Sequence, residues 1–90
     1  MSLAPVTVRY WAAARAAAGV AEDELPVDGE VTLADVVRRV LDLHPVDRFP
    51  DLIKICSVLV GERPAGTRSP EQVPVRPGDT VEFLPPFAGG

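Results

Sequence analysis

Apolar and polar positions alternate at both ends of this chain, and one strongly helical stretch lies between them. Val6-Thr7-Val8-Arg9-Tyr10-Trp11 alternates and is rich in β-branched and aromatic residues, which predicts a strand with Val6, Val8 and Tyr10 inward and Thr7, Arg9 and Trp11 outward. Ala12 to Ala18 is alanine-rich, with Gly19 behind it, and predicts a short helix stopped by glycine. Glu24-Leu25-Pro26-Val27 predicts a short strand, placed at a sheet edge by its proline. Leu33, Val36, Val37, Val40 and Leu41 then recur at helical spacing, opposite Asp35, Arg38, Arg39 and Asp42. Thr32 and Asp35 have capping-box spacing, and Pro45 disfavours helix at His44, so the main helix is predicted over Leu33 to Leu43.

The second half reads as strands and turns. Pro45 to Leu52 is polar and proline-punctuated and predicts a loop, and Ile53 to Val60 is an apolar run that fits a mostly buried central strand. Gly61 to Gln72 predicts a turn or loop, with a short strand near Val73-Pro74-Val75. Arg76-Pro77-Gly78-Asp79 predicts a tight turn, and Thr80-Val81-Glu82-Phe83-Leu84 a last strand with Val81 and Phe83 inward and Glu82 and Leu84 outward. One amphipathic helix on a small mixed sheet is an α+β arrangement. A first hairpin, a crossing helix and a last strand returning to the centre give β-grasp topology, with the first and last strands parallel neighbours. No repeat or internal boundary divides residues 1–90, so a single domain is expected.

Composition narrows the function classes. A net charge of -4 argues against a nucleic-acid binder, which carries a basic face. The apolar runs are short and interrupted by charge, so neither a membrane span nor a signal peptide is expected, and the cytoplasm is the expected compartment. Cys56 is alone, which excludes an internal disulfide, and its apolar run points to an inert core thiol. His44 is the only histidine and sits at the end of the main helix, where the helix dipole accounts for it. No cysteine or histidine pair has metal-ligand spacing, no phosphate-binding glycine loop is present, and the carboxylates are scattered as on a solvated surface. No metal or bound cofactor is expected.

What remains is the tail, residues 85–90. The last strand runs into Pro85-Pro86, then Phe87-Ala88-Gly89-Gly90. Prolines lack an N–H and fix φ, so Pro85 and Pro86 stop the tail from pairing as another strand and hold it straight. Two glycines let the flexible arm enter a slot too narrow for side chains. The Gly90 carboxylate is its chemical handle, suited to activation by a second protein. Trp11, Leu84 and Phe87 would form an apolar patch near the tail base, and such patches mark protein contacts.

Two patterns resemble a known family. Tyr10-Trp11-Ala12 with Arg15 and Gly19, and the ending Glu82-Phe83-Leu84-Pro85-Pro86-Phe87-Ala88-Gly89-Gly90, are similar to the ubiquitin-like sulfur carriers of the MoaD/ThiS family, most closely the MoaD branch. Ala16 departs from the acid often found after the arginine, and Val60-Gly61-Glu62 lacks the asparagine that often opens the hairpin. The resemblance implies a carrier without an active site of its own. An adenylating partner of the MoeB/ThiF type would use ATP to activate Gly90, and a sulfur donor would convert it to a thiocarboxylate. A MoaE-like large subunit would take the sulfur for molybdopterin, in molybdenum cofactor biosynthesis. Gly89 and Gly90 would be the reactive end, with Trp11, Leu84, Pro85, Pro86, Phe87 and Ala88 contacting partners. Carriers for thiamine, cysteine or tRNA thiolation share the pattern, as do ubiquitin-like protein modifiers.

Overall fold

The structure is a computed structural model, and it describes residues 3–86. Strand β1 (Val6–Tyr10) leads into helix α1 (Ala12–Ala18), then β2 (Glu22–Leu25), β3 (Val31–Thr32), α2 (Leu33–Leu43), α3 (Phe49–Ile55), β4 (Ser57–Val60), β5 (Arg63–Pro64), a 3₁₀ turn (Pro70–Gln72), β6 (Pro74–Val75) and β7 (Thr80–Leu84). The main sheet has the order β2-β1-β7-β4-β5, and β3 and β6 form a separate two-stranded ribbon. β1 and β7 are parallel neighbours, with Val8 opposite Val81 and Tyr10 opposite Phe83. The other pairs of the main sheet are antiparallel. This is the β-grasp arrangement that the order of elements predicts.

Alternation places one face of β1 and β7 in the core. Val6, Val8, Tyr10, Val81 and Phe83 are buried, with Leu33, Val36 and Val40 of α2 and Phe49 and Ile53 of α3 in the same cluster. α2 begins and ends at the predicted residues. The Asp35 amide donates to Thr32 Oγ1 and the Thr32 amide donates to Asp35 Oδ2, both at 3.1 Å. These reciprocal bonds satisfy two amides that the helix itself cannot pair. They also hold the Asp35 carboxyl below its usual range. α1 closes at Gly19, whose φ of 80° needs no Cβ accommodation. Gly78, at φ 88°, takes the left-handed position of the Arg76–Asp79 turn.

Four sequence expectations shift. β2 covers Glu22–Leu25 rather than Glu24–Val27, because Leu25 is its only buried residue and pairs opposite Val6, which pushes Pro26 out of the ladder. The segment 45–52 is not a continuous loop: α3 starts at Phe49. Pro50 falls in its first turn, where a missing N–H costs nothing. Phe49, Leu52 and Ile53 then turn one face onto the core. The strand expected over Ile53 to Val60 is therefore only Ser57–Val60, and Ile55 ends a helix with its side chain 60% exposed. Within the segment read as turn or loop, β4 and β5 form a hairpin through Gly61-Glu62. Both residues have positive φ, 53° and 71°. That is the geometry a two-residue hairpin demands.

Candidate functional site at the end of the last strand

The outer face of β1 and β7 differs from the inner one in what holds it. Trp11 stands just past β1, and its amide donates to the Phe83 carbonyl at 3.2 Å, adding one rung to the parallel ladder. The indole is 42% exposed. Its Nε1–H donates to Glu82 Oε2 at 2.9 Å, and the Arg9 guanidinium lies 5.3 Å from the ring centroid. Arg9 and Glu82 are register partners across the two strands, so the indole is held from both. An exposed cation–π contact contributes about 0.5–1 kcal/mol. A side chain so held has less rotamer entropy left to lose in any contact.

Leu84 follows two residues after Glu82 on the same strand, half-buried and opposite Ser57 of β4. Trp11 and Leu84 therefore both lie at the end of β7, and α1 leaves Trp11 exposed. Pro85 keeps the inward alternation of Val81 and Phe83 and is buried, whereas Pro86 is exposed. The fold thus holds the chain through Pro85, and solvent reaches it at Pro86. Phe87, Ala88, Gly89 and Gly90 lie outside the described residues.

Two other groups draw attention for their chemistry. Tyr10, Asp23 and His44 form a cluster that sequence reading missed: the Tyr10 hydroxyl donates to Asp23 Oδ2 at 2.9 Å, and His44 Nε2 lies 2.6 Å from the same oxygen. A carboxylate only accepts, so Nε2 carries the proton. Burial above all, and then the Asp23 bond and charge, push the Tyr10 phenol far above its ordinary range. His44 packs edge-on against both Tyr10 and Phe49, at 5.6 and 5.7 Å between centroids. The cluster ties the end of α2 to β1 and β2, a larger role than the helix-dipole contact expected of His44. Cys56 donates its Sγ–H to the Leu52 carbonyl at 3.3 Å, and burial pushes its thiol up to about 11. A thiol so placed is protonated at neutral pH and a poor nucleophile.

Comparison with known proteins places this geometry. The model of the ThiS family matches residues 8–90. A putative molybdopterin converting factor subunit 1 from Pyrococcus furiosus superposes with a TM-score of 0.73 at 22% identity, covering 93% of this chain and 99% of the other. SAMP1 from Haloferax volcanii superposes with a TM-score of 0.78 at 20% identity, over 96% of this chain and 99% of the other. A chain from the complex of subunits 1 and 2 of the molybdopterin-converting factor of Helicobacter pylori gives 0.62 at 17% identity, over 96% and 99%. These structural likenesses bear on the fold. No significant match was found among curated proteins.

Proposed function

The chain belongs to the ThiS family, and on that premise we propose that it is a sulfur carrier whose Gly90 carboxylate is converted to a thiocarboxylate, acting as the small subunit of a molybdopterin synthase. The observation that carries this reading is the exit of β7. A central strand ends beside the braced, exposed Trp11 and runs into a buried Pro85 and an exposed Pro86, which precede Phe87-Ala88-Gly89-Gly90 in the sequence. In this reading the acid, base and nucleotide chemistry belongs to partners.

The chemistry follows from the handle. A carboxylate resists nucleophiles because its leaving group is an oxide. In an adenylating partner, a Gly90 carboxylate oxygen attacks the α-phosphorus of ATP and expels diphosphate, giving an acyl-adenylate. The terminal sulfur of a donor's persulfide attacks the acyl carbon and AMP leaves. A thiol then cleaves the acyl disulfide and releases the thiocarboxylate, whose sulfur is nucleophilic near neutral pH. A large subunit of the MoaE kind receives the tail with the pterin precursor. The Helicobacter pylori complex of converting-factor subunits 1 and 2 supports such a partner. The likeness to SAMP1, a small archaeal modifier protein by name, favours a second reading, in which Gly90 is joined to amines of other proteins.

Intact-mass analysis tests the proposal. Incubation with a MoeB/ThiF-like enzyme, ATP and a persulfide donor should replace one oxygen by sulfur at Gly90. Residues appended to Gly90 should abolish the product and leave the fold unchanged. Failure to form the thiocarboxylate under these conditions overturns the sulfur-carrier reading, and isopeptide products without it favour the modifier.

A further inference from the structure

A group of arginines gathers at the opposite end of β7 from the tail. Arg63 on β5, Arg68 in the loop after it and Arg76 at the turn before β7 line one concavity of about 320 Å³, with Val60 and Val73 among the apolar residues and Asp79 the acid. The three come from separate segments, and the chain as a whole is acidic at -4, so the gathering is not background charge. Asp79 turns its Oδ2 to the Arg76 amide at 2.8 Å and keeps its charge, so the lining carries three cations against one acid. The ion pairs among the described residues are Arg38–Asp35, His44–Asp23 and Arg76–Glu30, and none takes Arg63 or Arg68. Arg68 spends its Nε–H on the Ala65 carbonyl at 3.3 Å, which fixes the base of its guanidinium.

We propose that this concavity binds a phosphate-class oxyanion of two or more negative charges, either inorganic diphosphate or the phosphate of a nucleotide. Guanidinium groups are planar forks that bond two oxygens of one anion, and they keep their charge at any physiological pH. Arg76 is paired with Glu30 at 3.3 Å, so Arg63 and Arg68 are the lining guanidiniums whose charge an entering anion would balance. The volume lies at the small end of ligand clefts, which span about 300–1,000 Å³. β7 is five residues long, which separates the concavity from Pro85 by about 16 Å at the usual rise per residue. The test of this site does not require the chemistry at Gly90.

The test is an NMR titration of the isotope-labelled full chain with diphosphate, AMP and orthophosphate in separate arms at constant ionic strength. Saturable shifts are expected at the amides of Gly61, Arg63, Arg68, Arg76 and Asp79 and at the three Arg Nε–H signals. Diphosphate binding tighter than AMP would assign an inorganic ligand, and the reverse order a nucleotide. Arg63→Gln should raise the diphosphate Kd at least fivefold with an otherwise unchanged spectrum. Arg63→Lys should also weaken binding, because a point charge cannot replace the fork. Three outcomes would overturn the site: shifts that grow without saturation, shifts spread evenly over the other arginines, or an Arg63→Gln variant that binds as before. A fourth would be a polyglutamate peptide that saturates the same amides while none of the three anions does, which would make the surface a protein-docking site instead.

Discussion

The two faces of the β1–β7 ribbon are built from alternate residues of the same two strands and do opposite work. Inward, Val6, Val8, Tyr10, Val81 and Phe83 are shut away from water under α2 and α3. Outward, Arg9 and Glu82 face solvent to differing degrees and brace the exposed Trp11. The inner face draws its energy from burial. The outer one gains little by folding and is organised all the same. Order that burial does not require is what a docking surface needs, and the contrast therefore favours contact with a partner at the tail base.

The largest effect should come from breaking the inner face. Phe83 is fully buried, stacks against Tyr10 at 6.2 Å and sits beside the tail exit. Phe83→Ala should cost about 3–5 kcal/mol, enough to unfold a large share of so small a domain. Denaturant titration measures it, and a loss under 1 kcal/mol would mean that the inner face is not the stabilising one.

Trp11→Ala should do the reverse. Stability should fall by about 1–2 kcal/mol, the sum of an exposed cation–π contact and one net hydrogen bond and well below the Phe83→Ala cost. Affinity for a MoaE-like subunit should fall by about 2 kcal/mol, the threshold of an interface hot spot. Calorimetry on the pair, with thermal melts of the variant alone, separates the two quantities. A stability loss as large as that of Phe83→Ala, or an unchanged affinity, would dissolve the distinction between the faces.

The two faces were legible in the sequence because a period of two needs only a few residues to declare itself. α2 was legible for the same kind of reason: its apolar spacing and the Thr32–Asp35 pair fix both its face and its start. α3 was obscured where a helix ends and a strand begins inside one apolar run. Ile53 to Val60 carries no polar break at Cys56, and Pro50 reads as a breaker unless it is known to fall in the first turn. The spacing of Phe49, Leu52 and Ile53 was the available signal. β3, β5 and β6 have two residues each, too few for any period. At the site, alternation pointed Trp11 outward, but its bracing depends on a parallel register that no local pattern encodes. The Asp23–His44 contact spans 21 residues and is equally silent in the sequence.

Alkaline pH probes the inner face more gently. Tyr10 and Cys56 both have folded pKa values raised by burial, from ordinary values of 10.0 and 9.0. A raised pKa gives stability that is complete below the unfolded value and is lost as pH climbs above it. Stability should therefore hold to about pH 9 and fall beyond it, first through Cys56 between 9.0 and about 11 and then through Tyr10. Tyr10→Phe should lower stability near neutrality by about 1 kcal/mol, the net worth of one hydrogen bond. It should also remove the Tyr10 part of the alkaline decline, while Cys56→Ala removes the earlier part. Urea midpoints across pH measure both. Unchanged alkaline slopes would show that neither group differs between the folded and unfolded chain.

The smallest effect belongs at the far edge of the sheet, away from both faces. Glu62 holds φ at 71° in the Gly61-Glu62 hairpin, a conformation that suits glycine or asparagine. The left-handed form costs an ordinary residue about 1–2 kcal/mol. Glycine removes that strain but adds about 0.5–1 kcal/mol of lost chain entropy. Glu62→Gly should therefore stabilise the domain by a few tenths to about 1 kcal/mol, seen as a higher urea midpoint at constant slope. Affinity for a large subunit should not move, because the β4–β5 turn lies at the opposite end of the sheet from Trp11 and Pro86. If binding did change, the docking surface would extend across the whole outer face, and the tail base would be only part of it.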